Sequence, residues 1–457
     1  MRFYAAIVCV MSVTVQACAQ YALADLAHRD APAVFKMSLK EAEAKALDNS
    51  DKLKSLHETT NAAIEKSRAQ FGRLLPQLNV SGYYQYDTYV PDVSLGVPNM
   101  PAIQFGSHNN YAAGPTLSYT LWDTGAERDA YRAAKLLAES NKEQELNARV
   151  QALFSVRASY SRLQLALEEL NLLNSSLNLA KAQNHDIETN FRAGAASRLD
   201  LVDSRREVIS YQLQFKQAQS EVESDFEDLL NLVQVQAPIN YDRPGLSGLP
   251  ETNLVLKLDS LANSLAAVNR WPLNPPDDDQ PELQSLSNLA QSSDEQAKSE
   301  WARLFPKLDV SASAMIQYPN EIVLQTIEQN AFTATLTMPL FDGNQTRHLV
   351  DSTRSDADSA RFQREQAKRD LMTDFEKAMR ELNNLKEQQR LATLDMQSSE
   401  SAAKLYYRSY KAGKINLIDV QGANNRELMA KVNAARIDAQ TLNEIYLIES
   451  ISGRDTL

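Results

Sequence analysis

The residues able to do chemistry in this 457-residue chain are few and badly placed for it. Imidazoles serve as metal ligands and proton carriers, and the chain has five: His28, His57, His108, His185 and His348. They share no metal-ligand spacing, and His57-Glu58 is not followed by the second histidine of a zinc-protease helix. No Gly-x-Ser-x-Gly elbow presents a nucleophile, and no glycine-rich loop could cradle a phosphate. Both cysteines, Cys9 and Cys18, fall close to the N-terminus. What remains is carboxylate. Asp200 and Asp203 lie one helical turn apart on one face, where paired negative charge attracts a cation or raises a pKa. On long helices such pairs are far more often solvated surface than acid-base machinery. The expectation is a protein that is not an enzyme, with no cofactor and no resident metal.

Composition bounds what could position such residues. With 13 Gly, 16 Pro, 2 Cys and 23% charged residues, collagen-like, disulfide-framework and disordered classes are excluded. Lys and Arg number 47 against 59 Asp and Glu, a net charge of -12 with no basic stripe, which argues against nucleic acid as a partner. Beyond the N-terminus there is no run of eighteen apolar residues, so membrane-spanning helices are excluded while a membrane barrel is not. Residues 1–24 read as a signal peptide, with Arg2, an apolar stretch from Phe3 to Val15, and Ala22-Leu23-Ala24 as the cleavage site. Val15-Gln16-Ala17-Cys18 offers acylation at Cys18 as the alternative to cleavage after Ala24.

The rest of the chain is a tandem duplication. Arg73-Leu74-Leu75-Pro76-Gln77-Leu78-Asn79-Val80-Ser81 recurs as Arg303-Leu304-Phe305-Pro306-Lys307-Leu308-Asp309-Val310-Ser311, and Leu121-Trp122-Asp123-Thr124-Gly125 recurs as Leu340-Phe341-Asp342-Gly343. Phe191-Arg192-Ala193-Gly194 with Leu199-Asp200-Leu201 likewise matches Tyr410-Lys411-Ala412-Gly413 with Ile418-Asp419-Val420. The domain reading is a first repeat over 25–236 (helix, two strands, long helix, return helix), a proline-rich linker over 237–281 with a short helix near Leu258 to Val268, and a second repeat over 282–457.

Each repeat carries two segments with the period of two that marks a two-faced strand. Leu78, Val80, Tyr84 and Tyr86 alternate with Asn79, Ser81, Gln85 and Asp87. Tyr111, Ala113, Leu117, Tyr119 and Leu121 alternate with small polar residues, as do Leu308 to Tyr318 and then Phe332, Ala334, Leu336, Met338 and Leu340. Tyr86, Tyr89, Tyr111, Trp122, Tyr318, Phe332 and Phe341 cluster where strand ends are expected, as the girdles of a membrane barrel would. Four strands cannot close a barrel, and open edges are not tolerated in hydrocarbon, so several copies must contribute.

From Gly125 to Ala193, and again from about Asn344 to Ala412, nothing interrupts a helix, and at the α-helical rise each would run on the order of 100 Å. Leu39 to Arg73 and Arg198 to Val233 would make shorter rods of roughly 50 Å. Leu163, Leu167, Leu170, Leu173, Leu177 and Ala180 repeat at spacings of three and four, a coiled-coil seam. The fold class is thus mainly α with a membrane β-barrel portion.

The duplicated order of these motifs resembles the TolC family of bacterial outer-membrane efflux proteins, over about Ser38 to Gly453. The resemblance implies a homotrimer with four strands per protomer in one 12-stranded barrel in the outer membrane, continued by a coiled-coil α-helical barrel in the periplasm. It also implies a passive exit duct for efflux or type I secretion, coupled to a periplasmic adaptor and an inner-membrane transporter. Asp419 matches the first acidic residue of the family's constricted periplasmic mouth. The next acidic position is Gly422 here, and Asp200 with Asp203 in the first repeat are the substitute gate candidates. Asp200 and Asp419 equally fit as caps of the return helices. Arg192, Gly194, Ala195, Lys411, Gly413 and Lys414 form the turns that the resemblance assigns to adaptor docking. The alternative is an exported coiled-coil structural or adaptor protein with no pore. Cargo is not encoded, because a passive duct accepts what its transporter delivers.

Overall fold

The computed structural model describes residues 34–93, 103–104, 106–235, 255–320 and 323–453. The leader, with Cys9, Cys18 and the Ala24 cleavage point, lies outside the described residues, as does the first part of the linker, 237–254. The described residues fall into two compact units that each draw on both halves of the sequence. One runs to Asp51 and adds Arg149–Pro275 and the chain from Asp374; the other comprises Lys52–Ala148 and Pro276–Thr373.

The second of these units holds the four long strands. β2 (Gln77–Tyr86), β5 (Asn109–Trp122), β7 (Lys307–Tyr318) and β8 (Ile327–Thr337) make an antiparallel sheet in the order β2-β5-β7-β8. A small ladder of β3 (Asp92–Val93) and β4 (Ile103–Gln104) decorates the β2–β5 connection. Register confirms the two-faced reading: Leu78 faces Leu117, which faces Ala312, which faces Phe332, while Asn79, Thr116 and Ser313 share the other side. Leu78, Val80, Phe332 and Leu336 are 68%, 79%, 78% and 67% exposed, a large apolar face that nothing among the described residues covers. At Gly114-Pro115 the β5–β7 ladder is interrupted, and a side chain at Gly114 would collide with the Ala314 carbonyl, so glycine is required where the strands approach.

Three details differ from the sequence reading. The fourth strand starts at Ile327 and ends at Thr337, so Met338 and Leu340 lie beyond it and Phe332 stands in mid-strand. Pairing with β7 extends it back through Glu328, Gln329 and Asn330, whose polarity hid the strand period. In β5 the register shifts between Thr120 and Trp122, so Trp122 rather than Leu121 stands opposite Leu308.

α2 (Asp51–Gly72) and α6 (Pro281–Ala302) lead into the sheet. Small side chains let helices approach closely here: Ser140 Oγ donates to Ser285 O at 2.9 Å and Ser292 Oγ to Ala133 O at 2.7 Å. The expected helix Leu39 to Arg73 is broken. α1 (Leu39–Asn49) ends at Ser50, whose N–H donates to Ala46 O, and α2 begins at Asp51. The run Asp48-Asn49-Ser50-Asp51 supplies side chains that compete for backbone bonds, and Asn49 Nδ2 donates to Val233 O at 3.1 Å.

The other unit is built from α1, the distal parts of α3 (Ala126–Arg192) and α7 (Gln345–Lys411), and the return helices α4 (Arg198–Val233) and α8 (Leu417–Ile451). Within the linker, α5 (Leu261–Val268) and β6 (Val255–Lys257) are ordered, and β6 pairs in parallel with β1 (Val34–Lys36), a contact the sequence did not announce. Of the leucine seam of α3, Leu163, Leu177 and Ala180 are buried and Leu167, Leu170 and Leu173 partly so. Leu163 joins Met37, Tyr160, Phe226 and Leu229 in one cluster, and Leu177 with Ala180 packs on Tyr211 and Leu428 in another. Tyr160 Oη donates to Met37 O at 3.0 Å and accepts from the Asp259 N–H at 3.1 Å, tying the linker to the core.

Candidate functional site

The duplicated turns that join α3 to α4 and α7 to α8 are built alike, and the residues explain why. Gly194 and Gly413 take φ of +73° and +69°, a left-handed conformation that opposes any Cβ. Gly194 N–H then donates to Phe191 O at 3.0 Å and Ala195 N–H to Asn190 O at 2.8 Å; Gly413 to Tyr410 O at 2.8 Å and Lys414 to Ser409 O at 3.0 Å repeat the pattern. Both are complete Schellman endings. The return helices then open on N-terminal caps. Ser197 N–H donates to Asp200 Oδ2 at 3.1 Å while Asp200 N–H donates to Ser197 Oγ at 3.0 Å, a reciprocal capping box. In the second turn Asn416 N–H donates to Asp419 Oδ2 at 3.3 Å.

Asp200 and Asp419 therefore do cap their helices, as one of the two sequence readings had it, and each retains a carboxylate at the turn. Asp203 lies one turn further on, 3.9 Å from Arg206. Of the residues expected to dock an adaptor, Arg192 pairs with Glu188 at 3.1 Å, and Arg192, Gly194, Ala195, Lys411, Gly413 and Lys414 are all exposed.

The ends of α3 and α7 and the starts of α4 and α8 meet over a small core of Ile187, Leu201 and Leu417, with Tyr410 against it. Above it opens a cleft that brings Asp200 and Ala195 together with Lys411 and Gly413; Asp203 and Asp419 do not line it. The cleft holds a clasp that sequence reasoning missed. Asp186 on α3 accepts from Tyr407 Oη at 2.9 Å and sits 3.4 Å from Lys411 Nζ, which lies 4.7 Å from the Tyr407 ring centroid. Burial pushes the Tyr407 hydroxyl above its ordinary pKa, and the Asp186 charge adds to this; the Tyr407 contact in turn raises Lys411. Burial likewise raises Tyr410, with Asp200 contributing. Asp186 and Lys411 are at least half exposed, so solvent screens this pair and it adds little to stability. Only the i, i+4 spacing of Tyr407 and Lys411 was visible in the sequence.

Further along the same unit, Arg157 is buried with two carboxylates. Its Nε donates to Glu43 at 2.5 Å and its Nη1 to Glu449 at 2.6 Å, with the guanidinium 5.2 Å from the Trp271 centroid and 5.7 Å from that of Tyr446. This knot joins α1, α3, α8 and the linker. Among the described residues no cluster of three metal-ligating side chains occurs, and no helix is long and apolar enough to cross a membrane.

Comparison with known proteins agrees with this architecture. The CusC channel superposes with a TM-score of 0.72 at 16% identity, covering 91% of this chain and 92% of that one. The Campylobacter jejuni outer membrane channel CmeC gives 0.71 at 18%, covering 91% and 85%, and the Vibrio cholerae outer membrane protein VceC 0.71 at 15%, covering 91% and 96%. No curated protein sequence matches. The model of the outer membrane efflux protein family matches residues 44–233 and 278–454, which together are most of the chain. The chain belongs to the outer membrane efflux protein family.

Proposed function

We propose that this protein is a passive exit duct of the outer membrane, a homotrimer in which each copy supplies β2, β5, β7 and β8 to one twelve-stranded barrel. The observation that carries this reading is the open sheet: among the described residues β2 and β8 each have a single partner, and one face exposes Leu78, Val80, Phe332 and Leu336. In lipid the apolar face is satisfied, but the edges are not, and only closure with further copies pairs them. Exposed Leu199, Val202, Ile209 and Leu213 along α4 add a second apolar stripe suited to a neighbouring copy.

The helices form a periplasmic tunnel whose mouth is the paired turns, with Asp200, Asp203 and Asp419 as its acidic gate and Arg192, Gly194, Ala195, Lys411, Gly413 and Lys414 as the adaptor-docking tip. Energy and cargo choice come from a periplasmic adaptor and an inner-membrane transporter. The two halves, 25–236 and 282–457, descend from one duplicated unit joined by 237–281.

The test is extraction from outer membranes in detergent, followed by conductance in planar bilayers. A stable trimer that conducts is expected, with Asn at Asp200, Asp203 or Asp419 altering conductance or cation block. A monomer in the soluble periplasmic fraction would overturn the duct, and unchanged currents in all three variants would remove the acidic mouth.

A further inference from the structure

The four long strands hold three charged side chains among the described residues: Lys307, Asp309 and Glu328. Register sorts them by face. Glu328 stands opposite Ile316 on the apolar side. Lys307 and Asp309, two residues apart, share the polar side, where Thr120, Asp309 and Thr335 form one row across the sheet and Ser118, Ser311 and Thr333 the next. These two charges are in contact. Lys307 Nζ lies 3.1 Å from Asp309 Oδ1, and the same oxygen accepts a hydrogen bond from Thr120 Oγ1 at 2.7 Å. A chain whose net charge is -12 thus presents, on the polar face of its sheet, one cation bound to one anion amid hydroxyls and amides.

We propose that Lys307 and Asp309 are a charge-cancelling pair that keeps the wall of the transmembrane lumen electrically neutral, so that the barrel itself does not sort cargo by charge. The inference rests on the barrel reading above. A hydroxyl-lined wall solvates ions of either sign without holding them, whereas an uncompensated ring of like charges would concentrate one sign in the lumen. Three-fold symmetry would make any imbalance in one copy a ring of three.

The experiment measures the reversal potential of the intact trimer in planar bilayers under a KCl gradient. Lys307→Gln unmasks Asp309 and is expected to shift permeability toward cations; Asp309→Asn unmasks Lys307 and shifts it toward anions. Each change should be about two-fold in the permeability ratio at low salt and fade as salt rises. The double variant returns to the wild-type value. Should one variant fail to assemble, Ser311→Asp on the next row of the same face reports independently and should behave like Lys307→Gln. Shifts in the same direction, or none in any variant that conducts, would overturn the pairing while leaving the duct intact. A wild-type protein that never conducts would instead overturn the duct, and the neutral lumen with it.

Discussion

The two return helices begin alike and end differently. α4 and α8 have 36 and 35 residues and follow the same glycine-closed turn with an aspartate three residues into the helix. Yet α8 buries seventeen residues and α4 ten, and α4 leaves Leu199, Val202, Ile209 and Leu213 more than half exposed. Their far ends also differ: Phe226, Leu229 and Val233 anchor α4 in an apolar cluster, while Glu449 ties α8 to Arg157 through buried charge. Local signals copied by duplication thus reproduce the turn, while tertiary partners decide which copy becomes core and which is left to face a neighbour.

The contrast can be broken at its strongest point. Arg157→Met removes the buried guanidinium that Glu43 and Glu449 share and should cost about 4 kcal/mol, read as a lowered unfolding transition of the purified trimer. Phe226→Ala, at the apolar anchor, should cost about 3 kcal/mol by leaving a cavity. If the apolar loss proves the larger, the ionic end of α8 is not its main anchor. Ser197→Ala removes the first capping box and should cost about 1 kcal/mol in the same measurement.

Smaller effects sharpen the comparison. At Gly422, inside α8, an added Cβ would meet only Arg426 Nη1 at 3.6 Å, so Gly422→Ala should stabilise by about 0.5–1 kcal/mol. Burial raises the pKa of Glu207 on α4 and of Asp438 and Glu444 on α8. A carboxyl whose folded-state pKa is raised binds its proton more tightly when folded, so its charging costs stability as pH rises from the unfolded value through the folded one. Mild acidification into that window should stabilise the helices, and Glu207→Gln should flatten the pH dependence of the melt by a share set by that one group.

The duplication, the strand pairs and both turns were legible because each is written in contiguous residues: alternation over ten residues, a glycine forced to positive φ, a serine three before an aspartate. Even Arg198–Val233 was bounded to the residue, since its cap and its left-handed Gln234 lie next to it in sequence. The break at Ser50 was not, because the run that causes it is merely polar until Val233 offers Asn49 a carbonyl. Nor were the Asp186 clasp and the Arg157 knot. Asp186 and Tyr407 are 221 residues apart, Arg157 and Glu449 are 292, and nothing local marks either aspartate or arginine as different from its neighbours. The Lys307–Asp309 pair was present in the quoted repeat but carried no meaning until register put Thr120 beside it.

The parallel pairing of β1 with β6 imposes an order of events. Val34 meets Val255, and the Leu39 N–H reaches Asp259 across 220 residues, so β1 waits for a partner that is synthesised only after a whole repeat has followed. Until then the emerging segment carries an unsatisfied strand edge, the kind of surface that invites pairing with the wrong chain. The chain should therefore be most open to mispairing during that interval, before any copy can seek its neighbours.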